Sequence, residues 1–333
     1  MKVLSDIRQF NESQWHKLLE ESNCASFFQS LECYKFYATQ ECFEPFVFGV
    51  EKQGVLKGVI VGYIQKEKGA LKGYLSRRAI INAGPLLAND IDVTSITLLL
   101  KSLKNNLSSK AIYIEIRNFF NYSRFNSIFE QSGFQVIPHL NFQIDTKSED
   151  IVNSNLGKSR KRDIKVTLRD GASLVTEPKE FQIIEYYRIL DNLYKTKVKT
   201  PLFPLSFFMS LNKMKEGHII LVEYDNKIVG GTVCVGIPGQ PLYEWFACGE
   251  DGLYKNIHAS TLATYGGIQF AAQNGYPVFD MMGAGKPDEG YGVRDFKKKF
   301  GGMLVEDGRY LAVLNPVLYN VGKIGIKILK SIK

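Results

Sequence analysis

Cysteine and histidine are scarce in this 333-residue chain, which has five cysteines and four histidines. The cysteines form an odd number and include no CxxC pair, so the sequence favours neither a disulfide framework nor a zinc site. The histidines are scattered, and none belongs to a cluster with metal-ligand spacing. We therefore expect reduced, mostly buried cysteines and no bound metal.

Long apolar runs are also missing. No stretch of about 18 uncharged apolar residues occurs, so a membrane-spanning helix is not expected. The first residues, MKVLSDIRQF, lack the apolar core of a secretory signal. These two absences predict a soluble protein that stays in the cytoplasm.

Signatures of several enzyme classes are absent as well. The chain contains no GxSxG, no GxxxxGK[ST], no HExxH and no GxGxxG that opens a helix. The segment MGAGKP is only superficially phosphate-like, because Pro287 follows Lys286 where a P-loop has serine or threonine. No Ser-His or Cys-His pairing signal is present either, so the sequence does not indicate an enzyme nucleophile.

The composition is that of an ordinary globular protein, with 45% apolar and 23% charged residues. The length predicts two domains of roughly 150 residues. The net charge of +8 favours polyanionic partners such as RNA, nucleotide diphosphates or an anionic membrane face. The same charge is also compatible with simple solubility, and composition alone does not choose between these interpretations.

The order of predicted elements repeats along the chain. Two helices, an antiparallel meander, a helix and a strand occur twice, which predicts a duplicated α/β fold. The first copy has predicted helices at 12–21, 30–39, 93–107 and 125–132 and predicted strands at 45–50, 55–65, 111–117 and 140–145. The second has predicted helices at 179–194, 205–214 and 259–273, a hairpin that turns at Asp225 and Asn226, and predicted strands at 243–249 and 277–283. We therefore predict domains at 1–150 and 151–316.

A strongly basic segment, KSRKRDIKVTLR at 158–169, lies between the two copies. One interpretation is a solvated helix that opens the second domain. The other is a stripe that binds phosphate groups, because guanidinium and ammonium groups form charge-assisted hydrogen bonds with them. Lys158, Arg160 and Arg162 are the candidate phosphate-binding residues of this segment.

Three stretches resemble the FemABX family of peptidoglycan-bridge aminoacyltransferases. The most specific is FDMMGAGKPDEGYGVRDFKKKFGG at 279–302, which is similar to the strand, glycine turn and FK..FGG close of that family. The others are the long helix preceded by LYKNIHAS and the basic segment KSRKRDIKVTLRDGASL. The stretch FFQSLECYKFY near the start is a weaker match.

The resemblance implies two tandem GNAT-like acyltransferase domains, each a mixed sheet flanked by helices. The chain has no room for the coiled-coil arm of some members, so it resembles the compact type. The implied activity is transfer of an amino acid from aminoacyl-tRNA to an amine on the stem peptide of a peptidoglycan precursor. No cofactor is implied, the partners are charged tRNA and a nucleotide- or lipid-linked precursor, and the process is cell-wall biogenesis.

The resemblance places Phe296 and Lys297 at the transfer site. A cation there would stabilise the oxyanion that forms when an amine attacks an ester. Asp280, at the end of a strand predicted to be buried, either orients the substrate amine or caps the following turn. We expect Phe300 and the glycines after it to serve packing and turn formation.

Substrate contacts are implied at further positions. By their position, Lys35 and Lys199 match the basic residues that hold a nucleotide-linked muropeptide in compact family members. Arg294 is a further candidate for binding substrate phosphate. Tyr254, Tyr265 and Tyr291 are candidates for lining the same cleft, although buried aromatic residues more often serve packing.

Two alternatives to this function remain. A GNAT-type acyl-CoA N-acyltransferase is disfavoured because the segment from Lys255 to Ala259, before the long helix, has no glycine that would let the backbone approach a pyrophosphate. The first copy offers no better loop for a pyrophosphate, because Gly84 is followed by Pro85, which lacks an N–H. A non-catalytic protein that binds tRNA or a cell-wall precursor is the other alternative.

The carboxyl-terminal segment 317–333 is predicted to be a basic amphipathic helix. One stripe has Val317, Val321, Ile324, Ile328 and Ile332, and the other face has Lys323, Lys327, Lys330 and Lys333. Such a helix either packs against the first domain or lies peripherally on the anionic inner face of the membrane.

Overall fold

The computed structural model of the protein describes residues 1–67 and 69–331. The chain forms two compact units, the first from residues 1–139 and 306–333 and the second from residues 140–305. These ranges differ from the predicted ones at both boundaries. The strand at 140–145 pairs within the sheet of the second unit, and the chain after 305 returns to the sheet of the first unit.

The first unit is an α/β structure built on one mixed sheet. Its strands are β1 (Lys2–Leu4), β2 (Phe43–Lys52), β3 (Val55–Gln65), β4 (Arg78–Ala83), β5 (Leu86–Leu87), β6 (Tyr113–Asn118), β7 (Gln135–Ile137) and β15 (Arg309–Val313). Its helices are α1 (Glu12–Glu21), α2 (Leu31–Ala38), α3 (Ala70–Ser76), α4 (Val93–Leu107), α5 (Asn126–Gln131) and α12 (Pro316–Ser331). The strand order is β1-β2-β3-β4-β6-β15-β7, and β5 pairs with β3.

The second unit repeats this architecture. Its strands are β8 (Leu140–Asp145), β9 (Ser173–Val175), β10 (Gly217–Tyr224), β11 (Lys227–Val235), β12 (Leu242–Gly249), β13 (Val278–Gly283) and β14 (Met303–Glu306). Its helices are α6 (Glu149–Asn155), α7 (Lys158–Arg169), α8 (Glu180–Leu193), α9 (Leu205–Asn212), α10 (Ala259–Gln273) and α11 (Gly292–Lys298). The strand order is β14-β8-β13-β12-β11-β10-β9.

The two sheets share one pattern of pairing. In each, an antiparallel series leads to one parallel pair, β4 with β6 in the first unit and β12 with β13 in the second. An antiparallel strand then follows the parallel pair, β15 in the first unit and β8 in the second. The predicted duplication is therefore confirmed.

Local signals explain why many predicted elements are observed. Helix α4 begins after Asp92, whose carboxylate accepts a hydrogen bond from the backbone N–H of Ser95. Its buried side chains recur at helical spacing and face the core of the first unit; they include Ile96, Leu99, Leu100, Leu103 and Leu107. Helices α1, α7 and α10 also have the predicted bounds or segment limits.

The hairpin of β10 and β11 turns at the predicted residues. Asp225 and Asn226 both have positive φ values, 50° and 57°. This is the geometry of a two-residue turn whose twist matches that of the flanking strands, and aspartate and asparagine tolerate it better than most residues.

The carboxyl-terminal helix α12 belongs to the first unit, where Tyr319 packs edge-on against Tyr113 at 5.5 Å between ring centroids. Three residues of its predicted apolar stripe are exposed, namely Val317 by 72%, Val321 by 53% and Ile324 by 59%. The side chains of the remaining stripe and lysine positions, Ile328, Ile332, Lys327, Lys330 and Lys333, lie outside the described residues. In the described part of the chain, no helix has the length and apolarity needed to cross a membrane.

Candidate active site

The parallel strands β12 and β13 separate soon after they meet. They pair only through Leu242 with Phe279 and Tyr243 with Asp280. Beyond these pairs, β12 stays with β11 on one side, and β13 stays with β8 on the other after a register shift. We call the space between the two diverging strand ends the opening.

Lys297 binds the end of β13 through its ammonium group. It lies on α11, only 8% of its surface is exposed, and its ammonium group donates to three backbone carbonyls of β13. The acceptors are the oxygens of Met281, Gly283 at 2.8 Å and Met282 at 3.4 Å. A lysine has three N–H donors, so the strand end uses its full hydrogen-bonding capacity.

Glu244 adds a buried carboxylate that the sequence analysis did not select. It directly follows the last paired residue of β12 and is 7% exposed. Its Oε1 accepts hydrogen bonds from the hydroxyl groups of Thr232 at 3.2 Å and Thr264 at 2.9 Å. One signal could have identified it, because a lone glutamate inside the otherwise apolar strand LYEWFACG must be held by specific partners.

Asp280 lies at the last point where β12 and β13 pair and is fully buried. Its Oδ1 accepts from the backbone N–H of Met282 at 2.6 Å, and its Oδ2 accepts from the side-chain amide of Gln143 at 3.1 Å. Met282 has a positive φ of 56°. Asp280 thus caps the turn that ends β13, which is one of its two predicted roles; the orientation of a substrate amine stays a prediction.

The charges around the opening are coupled. Burial lowers the pKa of Lys297, and the nearby carboxylates of Glu244 and Asp280 oppose this shift by favouring the ammonium form. Burial also raises the pKa of Glu244, and Lys297 opposes that shift. A buried ammonium between two carboxylates keeps its charge far more easily than an isolated one. The two carboxylates therefore favour a cation at a position where burial alone would oppose it.

Phe296 and Arg160 fix α11 against α7. The guanidinium of Arg160 lies 4.4 Å from the ring centroid of Phe296 and 5.0 Å from that of Phe300. It also contacts Asp163 at 3.5 Å, and its exposure is 7%. This burial differs from the predicted phosphate contact. Arg160 instead positions the helix that bears Lys297, through cation–π packing.

Arg294 organises the loop between β13 and α11. Its guanidinium donates to the backbone oxygens of Ala284 at 2.9 Å, Pro287 at 3.5 Å and Lys286. Tyr291, at the start of α11, is 43% exposed. In this state the donors of Arg294 bind the loop, whereas phosphate binding by Arg294 and cleft lining by Tyr291 stay predictions.

The last residues of the motif, FGG at 300–302, serve packing and turn formation, as expected from the sequence. Phe300 is fully buried in the core of the second unit. Gly301 has a φ of +82°, and a Cβ atom there would collide with the carbonyl oxygen of Asn155. A Cβ atom on Gly302 would lie 2.8 Å from the carbonyl oxygen of Gln143. Only glycine lets the chain pass this close after α11.

Apart from the buried Arg160, helix α7 presents its basic residues on an exposed face. Lys158 and Arg162 are exposed, and Arg162 pairs with its neighbour Asp163 at 3.0 Å. Positions 158, 161, 162, 165 and 169 fall within one stripe at 100° per residue. The structure therefore contains the solvated helix face that the sequence allowed, and phosphate binding by this stripe stays a prediction.

The other predicted contacts lie elsewhere in their units. Lys35 on α2 is 59% exposed in its side chain and pairs with Glu12 at 3.2 Å. Lys199 is exposed, with a left-handed backbone, after a π-helical turn at Tyr194–Val198. Tyr254 packs edge-on against Tyr224 at 5.1 Å. Tyr265 is a partly buried packing residue on α10. Among the described residues of the second unit, no hydrogen bond or ion pair joins Lys199, Tyr254 or Tyr265 to Lys297.

The start of α10 is capped by the chain itself. The backbone N–H of Ser260 donates to Asp251 at 3.0 Å, and that of His258 donates to the hydroxyl of Thr167 at 3.0 Å. A carboxylate at a helix N-terminus takes the place where a phosphate would find its donors.

Comparisons with known proteins agree on the architecture. Neither a protein-family model nor a curated protein matches the sequence. Among solved structures, FemX has a TM-score of 0.71 at 12% identity, covering 96% of this chain and 99% of its own. A tandem GNAT protein from the clavulanic acid biosynthesis pathway has a TM-score of 0.62 at 10% identity, over 95% and 99%. L-PGS from Bacillus licheniformis has a TM-score of 0.56 at 14% identity, covering 92% of each chain.

These similarities extend over nearly the whole chain, and they agree with the repeated sheets described above. The predicted α/β class and the predicted pair of mixed sheets flanked by helices are thereby confirmed. The chain has the tandem GNAT-like fold of FemX.

Proposed function

We propose that the protein is an acyltransferase that moves an amino acid from aminoacyl-tRNA to an amine on the stem peptide of a peptidoglycan precursor. The observation that carries this proposal is the buried ammonium of Lys297 beside the opening between β12 and β13. The FemX-like fold and the motif that contains Lys297 support it further. No cofactor takes part, because the aminoacyl ester is already activated.

In the proposed reaction the acceptor amine attacks the carbonyl carbon of the ester. A C–N bond forms, the C–O bond to the ribose breaks, and the proton lost by the amine leaves with the ribose hydroxyl. The tetrahedral intermediate carries an oxyanion, and the ammonium of Lys297 stabilises it. The 3.4 Å contact with Met282 is the longest of the three and is the one that the substrate oxygen would replace.

The opening supplies the other requirements of such a transfer. Glu244 and Asp280 favour the ammonium form of Lys297, whose surface is only 8% exposed. Positioning of the two substrates accounts for a large part of the acceleration, so no protein nucleophile is required. Phe296 lies next to Lys297 in the chain and is held by Arg160, which makes it a rigid neighbour for the substrate.

Coenzyme A is a less suitable donor than aminoacyl-tRNA. The N-terminus of α10 is where a GNAT-type pyrophosphate would bind, and Asp251 and Thr167 accept hydrogen bonds from the N–H groups there. A phosphate would have to displace a carboxylate, which is also negatively charged. This observation supports a donor without a pyrophosphate at that place.

The proposal is tested by transfer of radiolabelled amino acids from a pooled charged-tRNA mixture. The acceptors are a nucleotide-linked muropeptide and, separately, a lipid-linked precursor, with acetyl-CoA as a parallel donor. Label from tRNA on either acceptor supports the proposal and identifies the amino acid. Label only from acetyl-CoA would contradict it, as would binding of tRNA without any transfer.

A cytoplasmic protein with peripheral membrane contact is also part of the proposal. The exposed apolar residues Val317, Val321 and Ile324 on α12, together with Lys323, suit the anionic inner leaflet. Co-sedimentation with vesicles of anionic and neutral lipid measures this contact. We expect binding to the anionic vesicles only, and Ile324→Ser should weaken it; equal binding to both vesicle types contradicts the electrostatic part.

A further inference from the structure

A cluster of arginines lies on one face of the sheet in the first unit. Arg309 on β15 is directly opposite Arg117 on β6. Arg78 starts β4, whose alternate residues Ile80 and Asn82 pair with Glu115 and Arg117. Because side chains alternate along a strand, all four charged residues share one face. We call Arg78, Arg117, Arg309 and Glu115 the arginine cluster.

One carboxylate serves two of the three arginines. Glu115 contacts Arg117 at 3.3 Å and Arg309 at 2.5 Å, and the side chains of Glu115, Arg117 and Arg309 are 16%, 34% and 29% exposed. Arg78 instead donates to the neutral amide of Gln65 at 3.1 Å. Burial raises the pKa of Glu115, but Arg117 and Arg309 outweigh it and lower this pKa to about 2. The four side chains therefore carry an excess of two positive charges.

Such an arrangement favours a bound anion. Like charges directly opposite each other on neighbouring strands destabilise a sheet. The Nε of Arg117 is also buried and, within the described residues, has no hydrogen-bond partner. A buried donor left without a partner is destabilising. Both features are relieved by an anion that accepts from these guanidinium groups.

Two buried polar side chains lie next to the arginine cluster. Tyr63 and Asn82 lie on the same face and are 2% and 3% exposed. Both Arg117 and Arg78 act on the hydroxyl of Tyr63 electrostatically. The three guanidinium groups are half-buried, so their charge is screened less than that of surface lysines.

We propose that the arginine cluster is a binding site for a phosphate group. A phosphate monoester carries about −1.5 to −2 charges at pH 7, which matches the excess of two, whereas a carboxylate carries one. Guanidinium groups bind phosphate oxygens through two parallel hydrogen bonds. The ligand is thus a phosphate-bearing molecule. The arginine cluster belongs to the first unit and Lys297 to the second, and the phosphate site does not depend on the proposed transfer reaction.

The test measures binding of inorganic phosphate and of pyrophosphate to the full chain by isothermal titration calorimetry, at constant ionic strength. Acetate is the singly charged comparison. We expect phosphate to bind more tightly than acetate, and Arg78→Gln to weaken phosphate binding about tenfold. Arg117→Lys keeps the charge but removes the planar fork, and it should weaken binding by a similar factor.

Arg8→Gln is the matched control, because it removes the same charge from an exposed position in the same unit. We expect it to leave phosphate binding unchanged. Circular dichroism confirms that each variant is folded, and Arg78→Gln keeps the test valid if Arg117→Lys unfolds. The proposal is overturned if phosphate does not bind, if acetate binds equally, or if Arg8→Gln weakens binding as much as Arg78→Gln.

Discussion

The two units share one sheet order but differ at their parallel strand pair. In the first unit β4 and β6 pair at five successive positions, from Ala79 with Ile114 to Ala83 with Asn118. In the second unit β12 and β13 pair at two and then separate. The same topology therefore provides a continuous sheet in the first unit and an opening between two strands in the second. The buried ammonium of Lys297 lies beside the opening.

The strand ends next to these pairs are held by different chemistry. In the first unit the carbonyls after β4 accept from neutral groups, Gln29 to Gly84 at 3.1 Å and Tyr122 to Pro85 at 2.7 Å. In the second unit the carbonyls at the end of β13 accept from the ammonium of Lys297. Neutral amide and hydroxyl groups are sufficient to fix a turn. A buried charge costs much more, which indicates a use beyond structure.

The largest effect is expected from Lys297→Met. This change keeps the length of the side chain and removes the charge, so we expect the rate of transfer to fall about 100- to 1,000-fold. Lys298→Met, at the exposed neighbouring position, is the control and should keep nearly full activity. The comparison between the units fails if Lys297→Met is folded and fully active.

Glycine substitutions should separate stability from activity in the two units. Gly301→Ala forces a Cβ against the oxygen of Asn155, and Gly84→Ala places one 2.6 Å from the ring of Tyr122. We expect each to lower the free energy of unfolding by about 2–3 kcal/mol. Only Gly301→Ala should also slow transfer by the folded protein, because Gly301 follows the helix of Lys297.

Gly252→Ala is the control for these two variants. Its φ is +87°, but a Cβ atom there meets nothing within 4 Å. Denaturant unfolding should therefore show a loss of only about 1 kcal/mol, the cost of the left-handed backbone alone. An equal loss for all three variants would show that close packing at Gly301 and Gly84 contributes nothing.

A smaller effect is expected from Glu244→Gln. The amide can still accept from Thr232 and Thr264, but the negative charge that raises the pKa of Lys297 is lost. The pKa of Lys297 should fall further below its ordinary value of 10.5, so the alkaline limb of the pH–rate profile should move to lower pH. We expect about a tenfold loss of rate at pH 9. Glu250→Gln is the control and should leave the pH–rate profile unchanged. An unchanged profile for Glu244→Gln would show that Glu244 does not raise the pKa of Lys297.

The smallest effect concerns the stability of the second unit in acid. Burial lowers the pKa of His218 to about 4, and His218 is hydrogen-bonded to the hydroxyl of Tyr276 at 2.8 Å. The unfolded chain binds this proton near pH 6.5 and the folded chain only near pH 4. Stability should therefore fall as the pH drops from 6.5 to 4. Linkage gives about 3 kcal/mol for a fully buried group, and the partial exposure of His218 reduces the expected loss to about 1–2 kcal/mol.

The two tryptophans of the chain make this measurement specific, since Trp15 lies in the first unit and Trp245 in the second. Trp15→Phe leaves a fluorescence signal from the second unit alone. His218→Gln should remove the loss between pH 6.5 and 4 from that signal. A loss that persists in full in His218→Gln must come from other groups.

Sequence periodicity was sufficient for most helices and for the repeat. The bounds of α1, α4 and α10 follow from apolar spacing and cap residues, which are local signals. The positions of β8 and β15 were not predictable in this way. A strand pattern shows which faces are buried but not which sheet accepts the strand, so β8 was assigned to the first domain and β15 was not identified.

The candidate site shows the same division between local and tertiary information. Lys297 was selected because a motif contains it, and its burial agrees with a special role. Glu244 was missed because its partners Thr232 and Thr264 come from other elements. Arg160 was assigned to phosphate from charge alone, whereas the rings of Phe296 and Phe300 cover its guanidinium. Charge in a sequence does not reveal which side of a helix is buried.

We place the transfer step at the opening in the second unit. A crystal structure of the protein with a non-hydrolysable aminoacyl-adenosine analogue would locate that step. We expect the aminoacyl carbonyl within hydrogen-bond distance of the Nζ of Lys297, between the ends of β12 and β13. An analogue bound with its carbonyl away from Lys297, or at the continuous pair β4 and β6, would rule out the opening as the site of transfer.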